Sequence, residues 1–502
     1  MATSKETAAR AEARPIAAAP ARERIDWKRI FFIMLGLALF LGIYYMPPWS
    51  DAVDPMGKSF ALSREGKASI ALFLLAGIWW VFEVVPIGVT SIAIGVFQAL
   101  FAIRPAKEAF RDFMDPSVMF IFGSVVVGMA FTKTGLTKRL AYKMLAIVGE
   151  RTSMILLGSL VVTAGLAHLM AHTAAAATVF PILLAIYALY NEEGKPTKFG
   201  KALFIGMAYA AGAGSIVTIL GSARAPSAAG MFKEFTGTDI GFFELSAYMF
   251  PVGWVMVLLI WVVLMIFLKP EKKTIPGLRE KVKVLSKELG PMTKQEKFVL
   301  LCVLGIVVTM SLQSFVPALK AMDRSALMLI STLLFFITGV LTVKELEDIP
   351  WNIILLFSGA MSIGFCLWKT GAAEWMAVNW LVMFQNAHWL VFVLSIAGFV
   401  LLMTNFIMNV AAIAISLPVS LVIAKYLGVS PELVLYASLV TAGMPFLLLI
   451  GAAPNAIAYG SRQFTTGEFF GYGIPMSLIL MVILGLAILI IWPLLGMPIL
   501  LK

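Results

Sequence analysis

"LAHLMAHTAAAATVFP", residues 166–181, lies in the middle of 152–190, a stretch that is otherwise almost wholly apolar. That stretch is about twice the roughly 20 residues a helix needs to cross a bilayer core. Ala171-His172-Thr173 interrupts it halfway. Two full crossings would place these polar residues in an exposed loop, and the sequence around them has no loop character. A hairpin that enters the membrane, turns at mid-depth and leaves on the same side fits better, because irregular backbone at that depth is tolerated where it lines a cavity. A second stretch, 388–425, is broken in the same way by Thr404-Asn405 and Asn409.

The two stretches belong to an internal repeat. "KTGL" begins at Lys133 and "KTGA" at Lys369; His172 follows the first lysine by 39 residues and Asn409 follows the second by 40. Pro181 and Pro418 each come nine residues later, and "GSARAP" from Gly221 matches "GAAPNA" from Gly451. Gly237 and Gly467 close these segments, each 16 residues on. If the first hairpin starts from the cytoplasm and the second from outside, the halves are inverted repeats, the architecture of secondary transporters.

The rest of the chain is consistent with that frame. Of 502 residues, 60% are hydrophobic and 13% charged, about half the charged fraction of a soluble protein. Spanning helices are expected near 29–47, 67–85, 88–104, 116–133, 201–220, 244–268, 298–316, 326–342, 352–368, 433–450 and 470–493, eleven in all. The fold class is therefore an all-α polytopic membrane protein with about eleven crossings and two re-entrant hairpins. The net charge of +11 is concentrated before residue 30, at Lys138-Arg139 and in 269–297. These are loops, so the excess reads as the positive-inside signal rather than a nucleic-acid footprint. The expected protein is multi-pass in the inner (plasma) membrane, its N-terminus cytoplasmic and its C-terminus outside. Residues 1–28 read as a disordered cytoplasmic tail without a signal-peptide h-region. Residues 29–268 form the first half, 269–297 a basic cytoplasmic loop and 298–502 the second half.

Three histidines and two isolated cysteines, Cys302 and Cys366, assemble neither a metal cluster nor a nucleophile with its base, so no enzyme and no cofactor is expected. His168 and His172 have the spacing of two zinc ligands, but the glutamate of HExxH and a third ligand are missing; His168 reads as a hydrogen-bonded packing residue. His388, beside a hairpin entrance, reads as interfacial. A cation/proton antiporter would need acidic residues at mid-membrane near the breaks, and there are none. Glu83, in "WWVFEVVPIGVT" (79–90), is expected either to pair within the scaffold or to couple protons.

A helix that starts at mid-membrane leaves its first N–H groups unpartnered and carries partial positive charge there. Thr173 is expected to cap helix 174–190, and Asn409 helix 410–425. Two such ends converging near the bilayer centre make a site for an anion. The glycine-broken segments 211–226 and 443–456 should unwind beside them, offering carbonyls together with Thr218, Ser222 and Asn455. His172 is expected to line the site. Arg224 would either clamp a carboxylate or sulfate bidentately or snorkel to water from a helix end.

"WWVFEVVPIGVTS", "FIFGSVVVGMAFTKTGLTKRLA", "PWNIILLFSGAMSIGFCLWKTG" and "GAAPNAIAYG", with the two tips, resemble the divalent anion:sodium symporter family over about residues 70–470. The resemblance implies a homodimer whose protomers divide into a scaffold and a transport domain that carries substrate by an elevator motion. It also implies a small anionic substrate (a C4-dicarboxylate, citrate or sulfate), usually coupled to sodium. The family's tips characteristically read Ser-Asn-Thr; here they read Ala171-His172-Thr173 and Met408-Asn409-Val410. The first unwound segment loses its asparagine and gains Arg224, while the second keeps Pro454-Asn455. Carried over in this way, His172, Thr173, Ser222, Arg224, Asn409, Val410, Pro454 and Asn455 would bind substrate. Thr218, Gly221, Thr404, Asn409 and Gly451 would serve ion coupling. His172 and Arg224 fall where the family holds one sodium ion, so fixed cationic side chains would replace it and favour anion exchange over symport. A titrating His172 would instead give proton coupling. The second site keeps Thr404 and Asn409 and stays open to Na+.

Overall fold

The computed structural model describes residues 26–53, 59–191, 195–313, 315–384, 388–406 and 409–501. Most of the expected tail, residues 1–25, and Met408 at the second tip lie outside them. The described chain is helical apart from one two-stranded antiparallel ribbon, Ala52–Val53 with Ser59–Phe60. Each of the eleven expected crossings contains a helix: Trp27–Tyr45, Arg64–Val81, Ile87–Leu100, Pro116–Thr134, Lys198–Ser215, Phe242–Phe267, Lys294–Leu312, Arg324–Ile337, Trp351–Lys369, Pro431–Ala442 and Thr466–Leu486. The first hairpin is Thr152–Leu166 followed by His172–Tyr190, and the second is Trp389–Phe406 followed by Asn409–Tyr426. Among the described residues nine helices are long and apolar enough to cross a membrane. This is an all-α polytopic membrane protein.

Burial separates centre from periphery. Within the most apolar window of Asn409–Tyr426, 89% of residues are buried, against 17% in Trp27–Tyr45. The hairpin arm is thus enclosed by protein on all sides, while the first helix turns most of its apolar surface outward, as a helix facing lipid does. Pro181 and Pro418 lie inside the two tip helices, where each removes one backbone hydrogen bond.

Among the helices not anticipated are Leu136–Val148, Leu278–Glu288 and Ala372–Phe384. The first and last follow the two KTG motifs. Gly135 (φ 83°) and Gly371 (φ 73°) are left-handed, the conformation that ends one helix and lets the chain leave at an angle, and glycine adopts it without a Cβ clash. Leu278–Glu288 lies within the basic loop; Leu278 and Val282 are buried while Arg279 and Lys283 are exposed. Glu83 is exposed and left-handed (φ 44°) in the turn before Ile87–Leu100, and it lines neither of the two large cavities described below.

The repeat is visible in backbone geometry. Lys198–Ser215 and Pro431–Ala442 both stop short, and each is followed by an extended residue, a single 3-10 turn and a second extended residue. In the first half these are Thr218 (φ −132°, ψ 159°), Ile219–Gly221 and Ser222 (φ −163°, ψ 153°). In the second they are Leu448 (φ −120°, ψ 147°), Leu449–Gly451 and Ala452 (φ −153°, ψ 146°). Helices resume at Arg224 and at Ala453. Glycine is required at both breaks. A Cβ on Gly221 would lie 2.5 Å from the carbonyl oxygens of Ala167 and Ser215, and one on Gly451 would lie 2.9 Å from that of Thr404.

Candidate functional site

The first tip helix begins at His172, with Ala171 in the cap position (φ −52°, ψ 132°) and no side-chain cap. The expectation that Thr173 caps this helix is therefore corrected. Thr173 lies one residue inside the helix, and the residue in the extended cap position has no side-chain oxygen to offer. Asn409 is likewise helical, so it does not cap its helix either; the cap position falls N-terminal to it, outside the described residues. The first-turn N–H groups at the first tip consequently have no side-chain cap, which is the state of a helix end that receives a ligand.

Residues His172, Thr173, Ser222, Arg224, Asn409 and Val410 line one cavity of about 620 Å³, so the structure brings together six of the residues singled out from sequence. Arg224 is 1% exposed, which removes the snorkelling alternative. Its Nη2 donates to Ser215 Oγ (2.8 Å). Arg224 Nη1, His172 Nδ1, Ser222 Oγ and Asn409 Nδ2 are buried and have no hydrogen-bond partner among the described residues. One unsatisfied buried polar atom costs roughly 1–3 kcal/mol, so four on one cavity wall mark a place for a polar ligand. A Cβ on Gly443 would lie 2.7 Å from Arg224 Nη2; the guanidinium occupies the space that a side chain there would need.

Pro454 and Asn455 stand just behind the main cavity, around a small pocket that His172, Tyr209 and Gly212 share. Asn455 Nδ2 is committed within its own loop, donating to Pro445 O (2.9 Å) and Leu448 O (3.1 Å). Thr218, Gly221, Thr404 and Gly451 do not line the main cavity; they tie the hairpins to the unwound segments. Thr218 Oγ1 donates to His168 O (2.6 Å) and Thr404 Oγ1 to Ala442 O (3.1 Å). His168 is the packing residue expected of it, its Nδ1 donating to Gly214 O (2.8 Å).

Sequence reasoning missed three features. Asn405, one turn before the second tip, accepts from Leu447 N (2.8 Å) and Leu448 N (3.2 Å), and its polar position inside an apolar run was the available signal. Tyr209 in the first half donates to Phe446 O (3.0 Å) and Phe469 O (3.1 Å) in the second. Lys133, Lys138, Glu345 and Asp348 stand on the wall of the main cavity. Lys133 Nζ pairs with Glu345 Oε1 at 2.6 Å. That hydrogen bond from Lys133, with two more from Thr342, holds the Glu345 carboxyl down to about 2.

A second cavity, of about 820 Å³, is lined by Asp115, Ser117, Lys233, Asp239, Asp323 and Arg324 among others. Asp115 to Ser117 stand at the start of helix Pro116–Thr134, whereas Lys133 in the first cavity is at its end. Phe365, near the end of Trp351–Lys369, lines the second cavity, whereas Ile353 near its start lines the first. The two cavities therefore lie towards opposite ends of the same two helices. Phe120, Ile219 and Pro226 line both.

Residues 33–498 match the family described as "Sodium:sulfate symporter transmembrane region". The chain belongs to this family. Relatives include the sodium-dependent dicarboxylate transporter SdcS of Staphylococcus saprophyticus, 26% identical over 453 residues that cover 86% of this chain and 87% of that protein. SdcS of Staphylococcus aureus is 27% identical with the same coverage. Among solved structures, MtrF of Neisseria gonorrhoeae, an antimetabolite efflux pump, superposes with a TM-score of 0.55 at 13% identity, covering 92% of this chain and 93% of its own. The YdaH transporter of Alcanivorax borkumensis gives 0.55 at 12% identity, covering 94% and 98%. At these identities the two structures speak for the fold alone. The family and its relatives make this chain a secondary transporter of small anions.

Proposed function

We propose that the protein exchanges one divalent anion for another, a C4-dicarboxylate, citrate or sulfate, across the inner membrane at the cavity between the two hairpin tips. The observation that carries this reading is the set of four unpartnered buried atoms on that cavity wall, three of them nitrogens and one belonging to a guanidinium. Arginine stays charged under all physiological conditions and matches carboxylate or sulfate geometry. Its hydrogen bond among the described residues is to a neutral serine, so an anion is the natural partner for its charge. An empty carrier that kept this cation buried would reorient reluctantly, since an uncompensated buried charge costs several kcal/mol. A loaded carrier would not face that cost. Obligatory exchange follows.

Within this reading the halves are inverted repeats, the tip helices that begin at His172 and Asn409 start at mid-membrane, and the tips move with their substrate as an elevator in each protomer of a homodimer. The N-terminus is cytoplasmic and the C-terminus outside. Substrate contacts come from His172, Thr173, Ser222, Arg224, Asn409 and Val410, with Pro454 and Asn455 supporting from behind. Sodium-coupled symport is the second reading. The sodium dependence of the staphylococcal relatives favours it.

The test is labelled-succinate uptake into sodium-free proteoliposomes, empty or preloaded with unlabelled succinate. Uptake only after preloading supports exchange. Uptake that appears only with sodium returns the protein to symport. Absence of uptake under every ion condition, for succinate, citrate and sulfate alike, overturns the anion reading.

A further inference from the structure

The lysine of the first KTG motif has no part in the site described above, yet it stands on the wall of the same cavity as His172 and Arg224. Its pairing with Glu345 is unequal in a way that suggests a use. Glu345 is fixed: its Oε2 accepts from Thr342 N (2.7 Å) and Thr342 Oγ1 (2.6 Å), closing a capping box at the start of the short helix Val343–Glu347. Only Oε1 is left for Lys133. Lys133 is the mobile partner, since its ammonium carries three donors on a flexible four-carbon stem and its side chain is 37% exposed. Lys138, in the next helix, lines the same wall. The cavity wall therefore carries two carboxylates, Asp348 and the Thr342-held Glu345, and two ammoniums, Lys133 and Lys138, together with the Arg224 guanidinium, whose Nη1 has no partner among the described residues.

We infer that Lys133 and Lys138 form an entry subsite for the carboxylate or sulfate group of the transported anion, and that Glu345 is a built-in competitor that sets how tightly this subsite holds it. The inference rests on the anion-exchange reading of the same cavity. An anion arriving at the mouth takes Lys133 from Glu345 and passes inward to Arg224. Glu345 then recovers Lys133, so the lysine does not retain the anion. A structural latch would need both partners alike. A competitor gives opposite effects when one or the other is removed, and this is what distinguishes the two.

The experiment measures succinate counterflow in sodium-free vesicles of defined orientation, with KM and maximal rate determined separately from each side. Lys133→Gln should raise KM about three- to five-fold, the scale of a solvent-reached charge contact, on the side to which this cavity opens and leave the other side unchanged. Glu345→Gln, which keeps a hydrogen-bonding group for Thr342, should lower KM on that side by a similar factor. Lys133→Arg should stay near wild type, and both effects should shrink at high salt. If both neutral variants change KM in the same direction, or lower only the maximal rate and thermal stability, the pair is a latch and the inference fails while the transport reading stands. If wild type exchanges succinate but no variant alters KM on either side, the inference also fails. A wild type that moves none of succinate, citrate and sulfate overturns the functional reading and this inference with it.

Discussion

One turn before the first tip stands His168, whose Nδ1 donates to the carbonyl of Gly214; at the equivalent place before the second stands Asn405, which accepts from two backbone N–H groups, Leu447 and Leu448. Asn405 holds its hairpin against an unwound segment and His168 holds its own against the last turn of the helix before one, and both breaks have nearly the same dihedrals. Beyond this common frame the halves diverge. The first half puts Arg224 and His172 on the cavity wall, while the second contributes Asn409 and Val410. Geometry has been kept through the repeat, while the cationic side chains among the described residues of the wall, Lys133, Lys138 and Arg224, all come from the first half. The anion is accordingly expected to depend mainly on the first half for its binding energy and on the second for its shape.

The largest test of that asymmetry is Arg224→Ala. Charge-assisted hydrogen bonds to a buried anion are worth roughly 1.5–3 kcal/mol each, so exchange at fixed substrate should fall on the order of 100-fold, and Arg224→Lys should not restore it. Asn409→Ala should cost only about ten-fold in KM, one neutral hydrogen bond with its buried partner left open. Equal losses in the two variants would erase the distinction between the halves. Gly443→Ala comes next. A methyl there collides with the guanidinium, and overpacking of this kind costs about 1–3 kcal/mol, which predicts roughly a ten-fold loss of exchange. The same position in the first half is Ala213, fully buried with its methyl accommodated.

The tethers can be compared by thermal unfolding in detergent. Asn405→Ala strands two part-buried N–H groups and should cost about 1–3 kcal/mol. His168→Ala leaves the Gly214 carbonyl its hydrogen bond from Val217 N (3.2 Å) and should cost about half as much; the reverse order would show that the first tether carries more of the fold. Thr173→Ala is the smallest effect. A lost cap would cost about 1 kcal/mol, but Thr173 caps nothing, so stability should change by less than about 0.5 kcal/mol. The Lys133–Glu345 pair sets the pH frame. Glu345 titrates below its ordinary value, so its pairing is fully present above the usual glutamate range and is lost only as pH falls through about 2. A step in exchange rate between about pH 5 and 8 therefore does not come from this carboxylate.

The frame was readable from sequence because it depends on periodic quantities. Apolar run length set the eleven crossings, and the matched intervals from Lys133 to His172 and from Lys369 to Asn409 set both hairpins. The cavity-lining role of His172, Thr173, Ser222, Arg224, Asn409 and Val410 was also readable, because polar residues inside apolar runs have few places to go. Local detail was not. Whether Thr173 or Ala171 takes the cap position turns on a one-residue shift of helix start, which propensity does not determine. Asn455 looked like a ligand but spends its amide on Pro445 and Leu448, a closure that only the folded loop defines. The Lys133–Glu345 pair joins residues from opposite halves, and no local pattern connects them. Leu136–Val148 carries Lys138, Arg139 and Lys143, and Ala372–Phe384 carries Glu374 and Asn379, so neither registers as an apolar run long enough to cross.

The wall that the two cavities share has an electrical consequence. Phe120, Ile219 and Pro226 face both, so water entering from either end stops against the same few side chains. Aqueous cavities conduct, and the membrane voltage is therefore concentrated across this short apolar partition instead of being spread over about 30 Å of bilayer. Any charge that passes it alone would do so against nearly the full potential, roughly 2.3 kcal/mol per elementary charge per 100 mV, or about twice that for a dianion. Under the proposed exchange, one dianion moving inward as another moved outward would carry no net charge through the partition, and the swap would be indifferent to voltage. Phe120→Ala would thin the partition, and its signature would be an electrical leak.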